Sequence, residues 1–145
     1  MTPAEVLAYE NPDLLERIME KESMTEEQAR SLYRDLLQFL YVAGTGGGKV
    51  FSPTAAIDTA WHHFILFTHD YADFCQRYFG RFIHHVPKTK RRLHLVGDGS
   101  LRNAIQTARA VFGPLGQNWT GKHGDGESCV TDCTQCGGHT NCQDK

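Results

Sequence analysis

At 145 residues the chain has room for one domain with a core of modest size. Its 40% hydrophobic and 22% charged residues are ordinary globular values, and a formal charge of −2 argues against a protein whose main task is coating nucleic acid. No apolar run of about 18 residues occurs, which excludes a helical membrane span, and Glu5, Glu10, Asp13 and Glu16 speak against a secretory leader. The expectation is therefore a cytoplasmic protein with reduced thiols, whose cysteines are read as ligands or free thiols before disulfides.

Helical signals open the chain. Thr2-Pro3 with Glu5 predicts a short first helix, and Asn11-Pro12 restarts the pattern for Leu14, Leu15, Ile18 and Met19. Thr25 predicts a stronger helix, with Gln28 at the capping-box position. Its stripe runs through Ala29, Leu32, Tyr33, Leu36, Leu37, Leu40 and Tyr41, and the glycine-rich residues 43–48 end it as a flexible loop. Gly44-Thr45-Gly46-Gly47-Gly48-Lys49 fails as a phosphate loop. Ala43 stands where the first glycine belongs, Val50 follows the lysine, and a helix precedes.

Ser52-Pro53 predicts the cap and first turn of the next helical region. Ile57, Trp61, Phe64, Thr68, Tyr71, Cys75 and Tyr78 alternate spacings of four and three, and Gly80 closes the run. Residues 82–87 read as extended, because proline biases its predecessor away from helix. Lys88, Lys90, Arg91 and Arg92 form a basic connector with no accompanying nucleic-acid motif. Asp98-Gly99-Ser100 leads into a last amphipathic helix carrying Leu101, Ala104, Ile105, Ala108, Val111 and Phe112, stopped by Gly113-Pro114. Asn118-Trp119-Thr120 matches a glycosylation acceptor, which carries little weight without a secretory leader. The fold class expected is mainly α: a helical body over residues 1–118 with a short extended segment, then a weakly structured cysteine-rich tail over 119–145.

The chemistry concentrates between Ile57 and Pro87, which hold five of the eight histidines and Cys75. These side chains bind transition metals or move protons near neutral pH. Asp58 and His62 are four apart and share a helix face, so the carboxylate can orient the imidazole from the second coordination shell. His62 and His69 are two turns apart, roughly 10 Å along a straight helix, too far to share one ion. Cys75 lies on the core seam, where a cysteine also serves as a small buried hydrophobe. If the segment breaks near Thr68 and Asp70, His62, Cys75 and His84 or His85 can converge as ligands. His63 is expected to be solvated and peripheral.

The order Asp58-x-x-Trp61-His62, Tyr71-x-x-x-Cys75, Phe79-Gly80-Arg81 and Ile83-His84-His85 resembles the core of the glycine-rich domain-containing protein-like family. The likeness covers residues 30–90. It carries over Asp58, Trp61, His62, Tyr71, Cys75, Gly80 and His84 or His85. Many members have His-x-His after the tryptophan; here the second of those positions is Phe64. The resemblance implies a type of domain and no particular reaction.

Cys129-x3-Cys133-x2-Cys136-x5-Cys142 is a second constellation, four thiolates able to wrap one tetrahedral zinc. A segment without an apolar anchor can still order on metal, since binding supplies the folding free energy. The reading is a zinc-binding helical module using His62, Cys75, His84 and His85 with Asp58 behind them, and a candidate second ion in the tail. The alternatives are an interaction or adaptor domain, whose same residues form a buried hydrogen-bonded core, and a metal-dependent enzyme. The protein partner such a domain would take has no signature in the sequence.

Overall fold

In the computed structural model, residues 1–86 and 99–120 are described. Seven helices occupy them: α1 (Pro3–Leu7), α2 (Pro12–Lys21), α3 (Glu26–Thr45), α4 (Ala55–Leu66), α5 (Thr68–Phe79), α6 (Ser100–Phe112) and α7 (Gln117–Thr120). Among the described residues there is no strand, so the body is all-α as expected. No helix of the described residues is long and apolar enough to cross a membrane. The basic connector and Cys129, Cys133, Cys136 and Cys142 lie outside the described residues.

The first three helices begin where their side chains satisfy free backbone donors. Thr2, Asn11 and Thr25 accept from the amides of Glu5, Leu14 and Gln28. Glu5 and Gln28 reach back to the amides of Thr2 and Thr25, completing two capping boxes. α3 is the axis of the molecule. It is 20 residues long, roughly 30 Å, and packs against every other helix described. Residues 35–40 are all buried, so its middle is enclosed on every side. The two polar residues in that stretch, Asp35 and Gln38, have partners: Asp35 accepts from Asn118 Nδ2 at 2.9 Å, and Gln38 accepts from Trp119 Nε1 at 2.9 Å.

Three boundaries differ from expectation. α3 continues through Gly44 and Thr45, because Gly44 is where the Phe79 ring of α5 lies against the helix and a Cβ would overlap it. Arg81 adds hydrogen bonds to the carbonyls of Ala43 and Gly44. The cap of α4 falls two residues beyond Ser52: it is Thr54, which accepts from the Ile57 amide, while Ser52 is buried and bonded to Ser100 at the start of α6. The α4–α5 break falls at Phe67, and no side chain caps α5. Thr68 is consequently exposed and leaves the apolar seam, which continues through Tyr71, Phe74 and Cys75. Gly80 closes α5 at φ 68°, a left-handed conformation that glycine adopts without strain.

One continuous core joins Leu14 and Ile18 of α2, Leu32, Leu36 and Phe39 of α3, Trp61 and Phe64 of α4, and Tyr71 and Phe74 of α5. α6 contributes Ile105 together with Ala104 and Ala108, the two alanines small enough for close approach to α3, whereas Val111 stays 41% exposed. The C-terminal turn α7 then plants Trp119, 1% exposed, against Phe39 with ring centroids 6.1 Å apart. Asn118 is buried too, its amide committed to Asp35, so the apparent glycosylation acceptor has no free nitrogen.

Candidate metal centre

The site forms where α4 meets the non-helical residues 81–86 that follow α5. In an extended segment alternate side chains point to opposite sides. Ile83 is accordingly buried and His85 half-buried, while Phe82 and His84 face outward. Several contacts fix this segment. Tyr71 Oη donates to the Ile83 carbonyl at 2.5 Å and accepts from Trp61 Nε1 at 3.0 Å. The Phe82 ring packs edge-on against Tyr71, and His85 packs edge-on against Trp61 with centroids 4.5 Å apart.

His85 is thereby delivered to Asp58 in the first turn of α4. Its Nε2 lies 2.6 Å from Asp58 Oδ1. The other oxygen, Oδ2, faces His62 Nε2 at 3.8 Å, and the two imidazole rings are 4.4 Å apart. One ligand atom from each of Asp58, His62 and His85 lies within 4.8 Å of the others, and no other such group of three or more occurs among the described residues. The histidine side chains differ in exposure: 13% for His85 and 57% for His62. The cluster is therefore anchored on one side and open on the other.

Asp58 stands between the two histidines, not merely behind His62. As a hydrogen bond, the short contact requires the His85 ring to donate Nε2–H to the carboxylate. A metal ion can replace that proton, since a ligating imidazole must present a bare nitrogen.

Cys75 is not brought to this cluster. The break near residue 67 occurs, yet Cys75 turns into the core as a free thiol with no exposed surface. Burial pushes its pKa up, opposed by hydrogen bonds with the Ile83 backbone and the Tyr71 hydroxyl. The Tyr71 hydroxyl is likewise held protonated, chiefly by burial and next by the neighbouring Cys75. His84 is exposed, stacked edge-on against Phe82, and His69 is exposed on the first turn of α5.

His63 is not a solvated bystander. Its side chain is 12% exposed, with Nε2 2.8 Å from Glu22 and Nδ1 accepting from Arg17 Nε at 3.1 Å, which ties α4 to α2. That pairing joins residues 41 and 46 positions apart and has no local signature in the sequence. The Trp61–Tyr71–Ile83 relay was missed for the same reason, although Trp61 and Tyr71 both stood on the predicted seam.

No curated protein and no solved structure matches the chain. A family model does, over residues 5–110, a span that runs from within α1 through most of α6 and includes all three side chains of the cluster. By that match over most of its length, the chain belongs to the UCP032817-like family.

Proposed function

We propose that this protein is a metal-binding helical module that holds one divalent transition metal, zinc foremost, through Asp58, His62 and His85. The observation that carries the reading is the convergence of two imidazole nitrogens and a carboxylate within 4.8 Å at an accessible face. Zn–N bonds of about 2.0–2.1 Å put tetrahedral ligand atoms roughly 3.3 Å apart, so the 2.6 Å contact between His85 and Asp58 must widen slightly while His62 draws in. The exposed His62 can do so by a side-chain rotation. Three protein ligands leave at least one position open, the arrangement also seen in metal sites that do chemistry; no reaction is assigned. The likeness to the glycine-rich domain-containing protein-like family is carried partly by these same residues. A cytoplasmic, reducing setting suits a chain whose described cysteine is a free thiol.

The test is elemental analysis of protein purified without added metal, with thermal melting before and after chelation. About one equivalent of metal, lost in His62→Ala and His85→Ala, is expected, with a lower melting temperature after chelation. Absence of metal and of any metal-induced stabilisation in the wild type would sink the reading.

A second reading has its own observation. Trp61, Tyr71 and Ile83 form a fully bonded buried relay, and no buried side-chain nitrogen or oxygen lacks a partner among the described residues. Under it the module is an interaction domain, and His85–Asp58 is simply a latch on the segment after α5. His62 lies outside that relay, so His62→Ala leaves stability unchanged. The metal reading differs in predicting that this variant loses metal-dependent stabilisation.

A further inference from the structure

We propose that the centre at Asp58, His62 and His85 is completed by a second copy of this chain. His84 of each copy supplies the fourth ligand to the metal of the other, so that metal binding joins two chains in a closed pair. This rests on the cluster being a metal centre. It assigns the open position to one particular donor, the imidazole of the partner's His84.

The first ground is the donor set. A closed zinc site takes four ligands, and the cluster supplies three. Among the described residues no further histidine, cysteine or carboxylate joins them. His63 is committed to Glu22 and Arg17, and Cys75 is enclosed in the core. His84 directly precedes His85 in an extended segment, so the two side chains leave on opposite sides and His84 cannot turn back to its own centre. As a ligand it can serve only a metal held by another molecule.

The second ground is how His84 is presented. Its ring packs edge-on against Phe82 at 4.9 Å, and the Phe82 ring packs edge-on against the buried Tyr71 at 5.2 Å. The imidazole is thus exposed yet held in place, which lowers the cost of ordering it on a metal. This side of the segment is also uncovered. The backbone N–H and C=O groups of Phe82, His84 and Val86 have no partner among the described residues.

The third ground is the surface around the donors. Of the six exposed large hydrophobic side chains among the described residues, three flank them: Phe82 and Val86 on either side of His84, and Leu66 one turn beyond His62 on α4. Residues 82–86 include no lysine, arginine, aspartate or glutamate, and the neighbouring Arg81 guanidinium is committed to the carbonyls of Ala43 and Gly44. The core of a protein interface is depleted of charge in the same way. A two-fold pair lets one patch serve both copies. Each metal then has a carboxylate and two imidazoles from one chain and one imidazole from the other.

Sedimentation velocity of the full-length chain, stripped with chelator and then given Zn²⁺, tests this. The expected result is a monomer without metal and a dimer at one zinc per chain, reversed by chelator. His84→Ala changes an exposed side chain, so it should fold as the wild type does by circular dichroism. With zinc it should stay monomeric, and bind the ion more weakly by at least the about 10–100-fold that even outer-shell partners contribute. Mixing His84→Ala with His62→Ala should restore a dimer with one tightly bound zinc per pair, because the first variant keeps a three-ligand centre and the second keeps the donor. A zinc-loaded wild type that stays monomeric would overturn the proposal while leaving the metal centre standing. So would a dimer that survives chelation, zinc-dependent association that persists in His84→Ala, or a mixture that restores nothing. No zinc binding by the wild type would overturn both.

Discussion

Tyr71 shows how much one hydroxyl can hold. It accepts from Trp61, donates to the Ile83 carbonyl and lies beside Cys75. Tyr71→Phe preserves the ring packing but leaves an indole N–H and a backbone carbonyl unpaired in the core. It should cost about 1–3 kcal/mol in urea denaturation, and loosen the segment that carries His85. At this scale the sequence was partly legible. Asp58 and His62 are legible because their spacing is that of one helix face. The choice of His85 over His84 follows from alternation once Ile83 is recognised as the inward residue. Cys75 lies in the core and apart from the cluster because the direction of α5 after the break depends on Tyr71 and Phe74 packing, which no local pattern encodes.

Among the elements, caps were the most legible and the ends set by tertiary contact the least. Thr2, Asn11 and Thr25 act through neighbours three residues on, so their role is local. The end of α3 is decided by Phe79 lying against Gly44. Gly44→Ala would ordinarily favour helix, yet here the methyl group must displace that ring. The variant should lose about 1–3 kcal/mol in a thermal melt followed by circular dichroism. α7 depends still more on its contacts, since four residues cannot sustain a helix alone. It is docked by Asp35, whose carboxyl burial pushes above its ordinary 3.8, against the opposing hydrogen bond from Asn118. A carboxyl with a raised folded pKa binds its proton more tightly folded than unfolded. Its contribution therefore increases as pH falls from neutral through the folded pKa, and levels off below the unfolded value near 3.8. Asp35→Asn should flatten that part of the stability profile in denaturation curves collected from pH 7 down to about 4.

For the molecule as a whole, the seam pattern of α2 to α6 was enough to expect an all-helical body around one core. What it could not convey was the axial place of α3. Asp35 and Gln38 look like solvent residues until α7 arrives more than 80 positions later to pair with both. Trp119 is thus part of the central packing. Trp119→Ala should cost about 3–5 kcal/mol by cavity formation, with the unpaired Gln38 adding to the loss, measurable as a lower denaturant midpoint.

The chain of rings from Trp119 through Phe39 and Trp61 to His85 has an optical consequence. The protein has two indoles, one under the candidate centre and one at the far end of that chain. In a Trp119→Phe background, Trp61 becomes the sole tryptophan emitter, with its ring against His85. Binding of paramagnetic Co²⁺ there should quench its fluorescence, and the emission should return when a chelator removes the ion. Occupancy of the centre could then be followed in real time without any attached label.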